Sequence, residues 1–404
     1  MPWGRRLCQR LVSETRPVVG GIVTIYLDYQ SSTPVDPRVR AVMMEVMEQD
    51  FANPSSESHS AGWSARARVE EARATIARAV GCAADEIVFT SGATEADNIG
   101  VLGAAMGAPE GRRRILIGAT EHKAVLESAF AAQRLGFAVE LLPVDRNGMI
   151  ELAHLQSKLG SDVAVVSVMW VNNEIGTIQQ LEPIVRESAA FGAFVHTDAT
   201  QAPAALPIDL TELGVDAASF SSHKIYGPKG VGALYLSAAS PWRPKPLLFG
   251  GGQEQGLRPG TLPTPLCVGF AEAFSIMASE GSVERARVQS LRDELAKTLQ
   301  GLLPEVQKTI EDVPQHPGTL HIRVDGINAD DLLSRLQPHL AASTGSACTS
   351  GRPHNSHVLE ALGLSSDNAA SGLRLSLGRF TTREEINETA SILRAAFALL
   401  RPTQ

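Results

Sequence analysis

Cysteine is scarce in this chain of 404 residues: Cys8, Cys82, Cys267 and Cys348 are the whole complement. They lie far apart and form no CxxC pair, which argues against a disulfide framework and against a zinc site. Free thiols fit a reducing compartment, so a cytoplasmic location is expected. No uninterrupted apolar run approaches the ~20 residues that span a bilayer. Neither sign of charge dominates, since 44 acidic against 36 basic residues give a formal net charge of −8. A mildly acidic chain without a long basic run is not expected to bind nucleic acid directly or to coat an anionic membrane. The cluster Arg112-Arg113-Arg114 reads as a solvated strand entry. Residues 1–21 carry Arg5, Arg6, Arg10 and Arg16 against one acid, Glu14. They lack the apolar stretch of a secretory signal. They read as an unstructured extension, with organelle targeting as the other reading.

What the chain does have is a long alternation of short apolar runs and helical stretches. Strands are expected over 86–90, 113–118, 138–144, 162–170, 193–199, 217–222 and 232–236. Several are rich in Val, Ile and Phe with little alternation, as in strands buried on both faces. Helical periods such as 123–135 and 182–191 fall between them. This rhythm predicts an α/β domain on a mostly parallel seven-stranded sheet, with its ligand site beyond the carboxyl ends of the strands. A Gly- and Pro-rich loop occupies 249–265, and long loops of this kind are usually functional. Beyond it come a helix at 282–303, a strand at 319–324 and a helix at 329–336. The expected division is an extension at 1–21, a large α/β domain at 32–280, and a small α+β domain made of 22–31 with 281–404.

Five polar clusters fall at five predicted strand ends. Lys224 follows an apolar strand and precedes a Gly-Pro turn, beside Ser221 and His223, which can donate to a phosphate. A lysine that bonds an aldehyde needs the lowered pKa that burial and neighbouring cations supply. Asp198 ends another strand; it either caps the next helix or pairs with a protonated ring nitrogen. Thr90-Ser91-Gly92-Ala93-Thr94 is a small-residue turn into a helix N-terminus, which is a phosphate cradle or a plain capping box. His122 suits ring stacking, proton transfer or a structural role. Asn173 suits a ligand oxygen or the shaping of its turn. Two further segments stand apart. Cys348, among Ser343-Thr344-Gly345-Ser346 and Thr349-Ser350-Gly351, reads as a thiol on an exposed, mobile loop and so a nucleophile. Cys82 and Cys267 sit in apolar contexts that read as core. Arg374, inside an apolar strand pattern, needs an anion: a substrate carboxylate or a structural salt-bridge partner.

The motifs TSGATEADN, ATEHKAVLE, VNNEIG, HTDATQA, SSHKIYGPKG, GGGQEQGLRPGTLP, STGSACTS and RLSLGRFT together resemble the NifS/IscS-type cysteine desulfurases. These belong to the class V aminotransferase group of fold-type I pyridoxal 5'-phosphate (PLP) enzymes. The resemblance runs from Ile25 to about Glu385. It implies that Lys224 bonds PLP, that Asp198 pairs with the pyridinium nitrogen, and that His122 stacks on the ring and assists proton transfer. It further implies Gln201 and Asn173 as contacts to the cofactor oxygen and substrate, and Thr94, Ser221 and His223 as phosphate ligands. Thr261 resembles the phosphate ligand donated by the second subunit of a homodimer. Arg374 resembles the clamp for the substrate carboxylate, and Cys348 the residue that takes up sulfur from L-cysteine as a persulfide, leaving alanine. A sulfur-acceptor protein is the implied partner, in iron–sulfur assembly, tRNA thiolation or DNA sulfur modification. Selenocysteine lyase, class V aminotransferase and a non-catalytic scaffold on the same fold are the rival readings. Ser31-Ser32, Ser222 and Pro259 depart from the family's usual residues without removing a catalytic group. The chain also ends soon after its last helix, without the longer tail by which some relatives contact a scaffold protein.

Overall fold

The computed structural model describes residues 18–19, 22–345 and 356–400. Seven strands form one sheet: β1 (Ile87–Thr90), β2 (Arg114–Gly118), β3 (Ala138–Leu142), β4 (Val163–Ser167), β5 (Phe194–Asp198), β6 (Ala217–Ser221) and β7 (Gly232–Leu236). Their order is β1-β7-β6-β5-β4-β2-β3. Every residue of β1, β4, β5, β6 and β7 is buried. This is why these segments read as apolar runs rather than alternations: helices cover both faces. β7 runs antiparallel to its neighbours β1 and β6, and the remaining pairs are parallel. Its first residue, Gly232, therefore lies at the edge where the other strands end, paired with Thr90 and Ser221. A Cβ on Gly232 would lie 2.4 Å from the Phe220 carbonyl oxygen and 2.7 Å from the Gly92 backbone. Only glycine lets β7 start directly under the turn that follows β1.

Helices α1 (Pro37–Gln49) and α2 (Ser60–Val80) precede the sheet; α3 (Ala93–Asn98) follows β1, and α4 (Lys123–Gln133) follows β2. The C-terminal part has a three-stranded sheet in which β8 (Thr319–Arg323) pairs antiparallel with β9 (Gly372–Ser376). It also holds α6 (His357–Ala361) and α7 (Arg383–Leu400). Ile25–Tyr26 pairs in parallel with Leu340–Ala341, so the start of the chain is stitched to this C-terminal part. Val18–Val19 pairs antiparallel with Ile22–Val23, so regular backbone pairing begins inside the segment read as an unstructured extension.

The long helix α5 departs most from the sequence reading. It spans Thr264–Leu302, starting well before the expected 282. Glu280-Gly281-Ser282 resembles a break, but Gly281 is buried within a continuous helix. The helix persists because its two halves bury against different cores. Cys267, Phe270, Phe274 and Met277 pack with the sheet, including Phe220. Val288, Leu291, Leu295 and Leu299 pack with Leu320, Leu375 and Phe397. Tertiary burial outweighs the roughly 1 kcal/mol that an interior glycine costs. By length and composition α5 is also apolar enough to cross a membrane, which the sequence reading had not found; half of its most apolar window is buried inside the protein.

Phe397, on α7, is 1% exposed in the second core. Phe397→Ala is expected to destabilise this part by about 3–5 kcal/mol through the cavity it leaves. Denaturant titration followed by a probe in the C-terminal part checks this; a loss under about 1 kcal/mol contradicts the packing described.

Candidate active site

The strand-end edge of the large sheet opens into a cleft of about 430 Å³, within the usual size for a small-molecule site. Its lining includes Thr94, His122, Asn173, Asp198, Gln201, Ser221, His223, Lys224 and Arg374. Nine residues singled out from separate segments thus meet in one place. Thr261 does not: it is exposed and lies outside this cleft. Cys348 lies outside the described residues; the nearest described positions are Gly345, which lines the cleft, and Ser356.

Each side chain is set by its element. Lys224 ends a single tight turn, Ser222–Lys224, directly after β6. Its Nζ donates to the carbonyl oxygens of Gln30 and Ser31, at 2.5 and 2.9 Å. Asp198, the last residue of β5, is 4% exposed, and its Oδ1 accepts from the Thr200 amide at 2.9 Å. Asp198 does not cap the next helix, whose N-cap is Gln201; its Oδ1 shapes the turn before that helix while the carboxylate lines the cleft. Gln201 donates from Nε2 to the Gln30 carbonyl at 3.0 Å.

His122 caps α4, its Nδ1 accepting from the Ala124 amide at 3.1 Å. A neutral ring held this way carries its proton on Nε2. Burial lowers its pKa; Asp198 opposes the shift, while Lys224 and His357 reinforce it. His223 is pushed down to about 4 by burial and by the charges of Lys224 and Lys229. His196, one strand alternation before Asp198, is likewise pushed down to about 4 by burial.

The turn after β1 is braced from two sides. Glu95 accepts from the Ser91 amide at 2.5 Å and from Arg258 Nε at 3.0 Å. Arg258 belongs to the Gly- and Pro-rich loop, which is also tied down through Glu254. That buried carboxylate takes both Arg73 amines, at 2.7 and 2.8 Å, and the Phe89 amide at 2.6 Å. Arg374, on β9, donates to the Asn173 carbonyl at 2.5 Å and to Asp28 at 2.7 Å. It has the salt-bridge partner that one reading required, and it also lines the cleft.

Sequence reasoning missed several buried polar residues here. Asn172, rather than Asn173, shapes its turn: its Oδ1 accepts the amides of Glu174 and Ile175. Glu121 accepts from the Met169 amide at 2.6 Å. Asp97, Glu121 and Glu174 are all raised in pKa, chiefly by burial. Their signal was present as acidic residues beside the recognised motifs, but acids next to a turn usually face solvent. Of the other thiols, Cys267 is in the core as expected, Cys82 lies at its margin, and Cys8 lies outside the described residues. Cys267 is fully buried and Cys82 half-buried, and burial raises both to about 12.

The lining fits an anionic, polar, planar cofactor. Among the described residues, buried polar atoms in the cleft make no hydrogen bond: both side-chain atoms of Gln30, Thr200 Oγ1 and Arg374 Nε. Unpaired buried polar groups are rare in folded proteins and point to a missing ligand. Lys224 and Lys229 supply positive charge to the lining that holds Thr94 and Ser221.

The depressed histidines give a pH prediction. Between the ordinary 6.5 and about 4, His196 and His223 stay neutral when folded but protonate when unfolded. Acidification through that window therefore removes stability. Asp97, Glu121 and Glu174 act in the opposite sense, so the test compares proteins. In denaturant titrations from pH 7 to 4, His223→Asn should lose less stability on acidification than the parent; an equal loss contradicts the assignment.

The sequence model of the class-V aminotransferases matches residues 25–388. The chain is 45% identical over 379 residues, 93% of each chain, to the cysteine desulfurase IscS of Pectobacterium carotovorum subsp. carotovorum (strain PC1). A solved structure described as a NifS-like protein superposes with a TM-score of 0.87 at 34% identity, covering 94% of this chain and 100% of that one. SspA in complex with cysteine superposes with a TM-score of 0.78 at 33% identity, covering 89% and 100%. With the fold, the lysine-bearing cleft and near full-length matches in agreement, the chain belongs to the class-V aminotransferase family, among its NifS/IscS-type, PLP-dependent cysteine desulfurases.

Proposed function

We propose that this protein removes sulfur from L-cysteine, releasing L-alanine and leaving a persulfide on Cys348. The observation that carries the proposal is the convergence of Lys224, Asp198, His122 and Arg374 on one cleft. Bound PLP supplies an electron sink for charge that develops at the substrate's α-carbon. Lys224 Nζ would hold the cofactor's aldehyde and, as a free amine, would move the proton at the substrate's Cα. The Asp198 carboxylate would keep the cofactor's ring nitrogen protonated, and His122 would offer its Nε2 proton. Thr94, Ser221 and His223 would take the phosphate, and Gln201 and Asn173 the cofactor oxygen and the substrate. Arg374 would orient the substrate carboxylate.

The sulfur step balances without an outside oxidant or reductant. The Cys348 thiolate attacks the substrate sulfur, and an S–S bond forms as the Cβ–S bond breaks. The electron pair stays on Cβ, which takes up a proton to give alanine. SspA, a structural relative solved with cysteine, supports the substrate. The active unit is a homodimer in which Thr261 completes the phosphate site of the other subunit; its exposed position outside its own cleft supports this. The persulfide passes to a sulfur-acceptor protein, and the protein works in the cytoplasm.

Cys348→Ser should abolish alanine formation from cysteine while keeping the yellow cofactor band. Lys224→Ala should lose both. Full activity in Cys348→Ser would overturn the nucleophile assignment. Parallel turnover of selenocysteine tests the lyase alternative, since a selenol leaves without needing that thiol.

A further inference from the structure

One buried carboxyl outside the reaction scheme touches both described ends of the segment that bears Cys348. Glu174 is 3% exposed, in the turn after β4. On one side lies Gly345. A Cβ there would sit 3.1 to 3.3 Å from Glu174 side-chain atoms, and its φ of +87° favours glycine. On the other side, Ser356 Oγ donates to Glu174 Oε2 at 2.5 Å. Ser356 also caps α6, accepting from the Leu359 amide, and the next residue, His357, reaches the Glu121 carbonyl at 2.9 Å. The same anchor is joined to the substrate end of the cleft. The neighbouring Asn173 carbonyl accepts from Arg374, and Arg374 exchanges backbone hydrogen bonds with Ser343.

We propose that Glu174 is a positioning residue for sulfur transfer. It holds Gly345 and Ser356, the described residues on either side of the segment that bears Cys348, at the cleft. Arg374, through Asn173, ties that anchor to the substrate carboxylate. The inference rests on Cys348 being the sulfur-accepting nucleophile. A buried acid whose side chain has one hydroxyl donor among the described residues, with a glycine packed against it, would be a poor purely structural choice, because an apolar residue of that size avoids the desolvation cost. Burial raises the Glu174 pKa, opposed by the Ser356 hydroxyl and by the nearby charges of His357, Arg374 and Lys123.

The test uses the PLP-loaded enzyme and reads two quantities: the cofactor absorbance change on adding cysteine, and alanine release at saturating cysteine. Glu174→Ala and Ser356→Ala should each slow alanine release by about tenfold or more while leaving half-saturation of the absorbance change within about twofold. Together they should cost little more than either alone, as expected for two partners in one contact. Glu174→Gln, whose amide oxygen can still accept from Ser356, should restore most of the rate. Selenocysteine turnover, which needs Cys348 less, should be spared. Ser356→Ala carries the test if Glu174→Ala folds poorly. Unchanged alanine release, an equal loss of binding and rate, or an equal loss with selenocysteine would overturn the proposal. If Cys348→Ser is dead while these variants turn over normally, only this inference fails. If Cys348→Ser is active, the reading beneath it fails.

Discussion

A guanidinium taken out of water has to be paired, and the pairing of Arg374 organises this molecule. It sits on β9, in the C-terminal part, at 3% exposure. Its partners come from elsewhere in the chain: Asp28 near the start and the Asn173 carbonyl in the turn after β4. Removing one partner of such a buried pair typically costs about 3–5 kcal/mol, because the other charge is stranded. The cleft therefore cannot form with its parts out of register. The same side chain lines the cleft, and its Nε has no hydrogen-bond partner among the described residues.

The electrostatics of the cleft follow from burial more than from net charge. The chain is mildly acidic overall, yet the cleft is lined by Lys224, Lys229 and several hydroxyls. Beneath it, Asp97 and Glu121 are pushed toward their neutral forms by burial, with Asp198 adding to the effect. Histidines 196 and 223 stay neutral for the same reason.

Much of the site was legible because strands buried on both faces leave an unmistakable apolar record, and their polar ends stand out against it. All seven strands of the large sheet occur within a few residues of their expected limits. Helix α5 was not legible, since Gly281 looks like punctuation when its burial is unknown. Glu174 and Asn172 were not either: acids and amides beside a turn look alike whether they face water or a neighbour more than a hundred residues away. Asn173 was chosen as a site residue, but nothing in the motif separated its role from that of the asparagine before it.

The sequence by itself determined the α/β order, the lysine at a strand end, and the set of polar residues that chemistry of this kind requires. Short-range pattern and residue chemistry suffice for that, because each strand–turn–helix unit is local. Only the tertiary structure decided which of those residues meet. It joins Gln30 to Lys224 and Gln201, places Arg374 between Asp28 and Asn173, and sets Glu174 between Gly345 and Ser356. These contacts link distant segments, and their energies come from burial and pairing that no local pattern records.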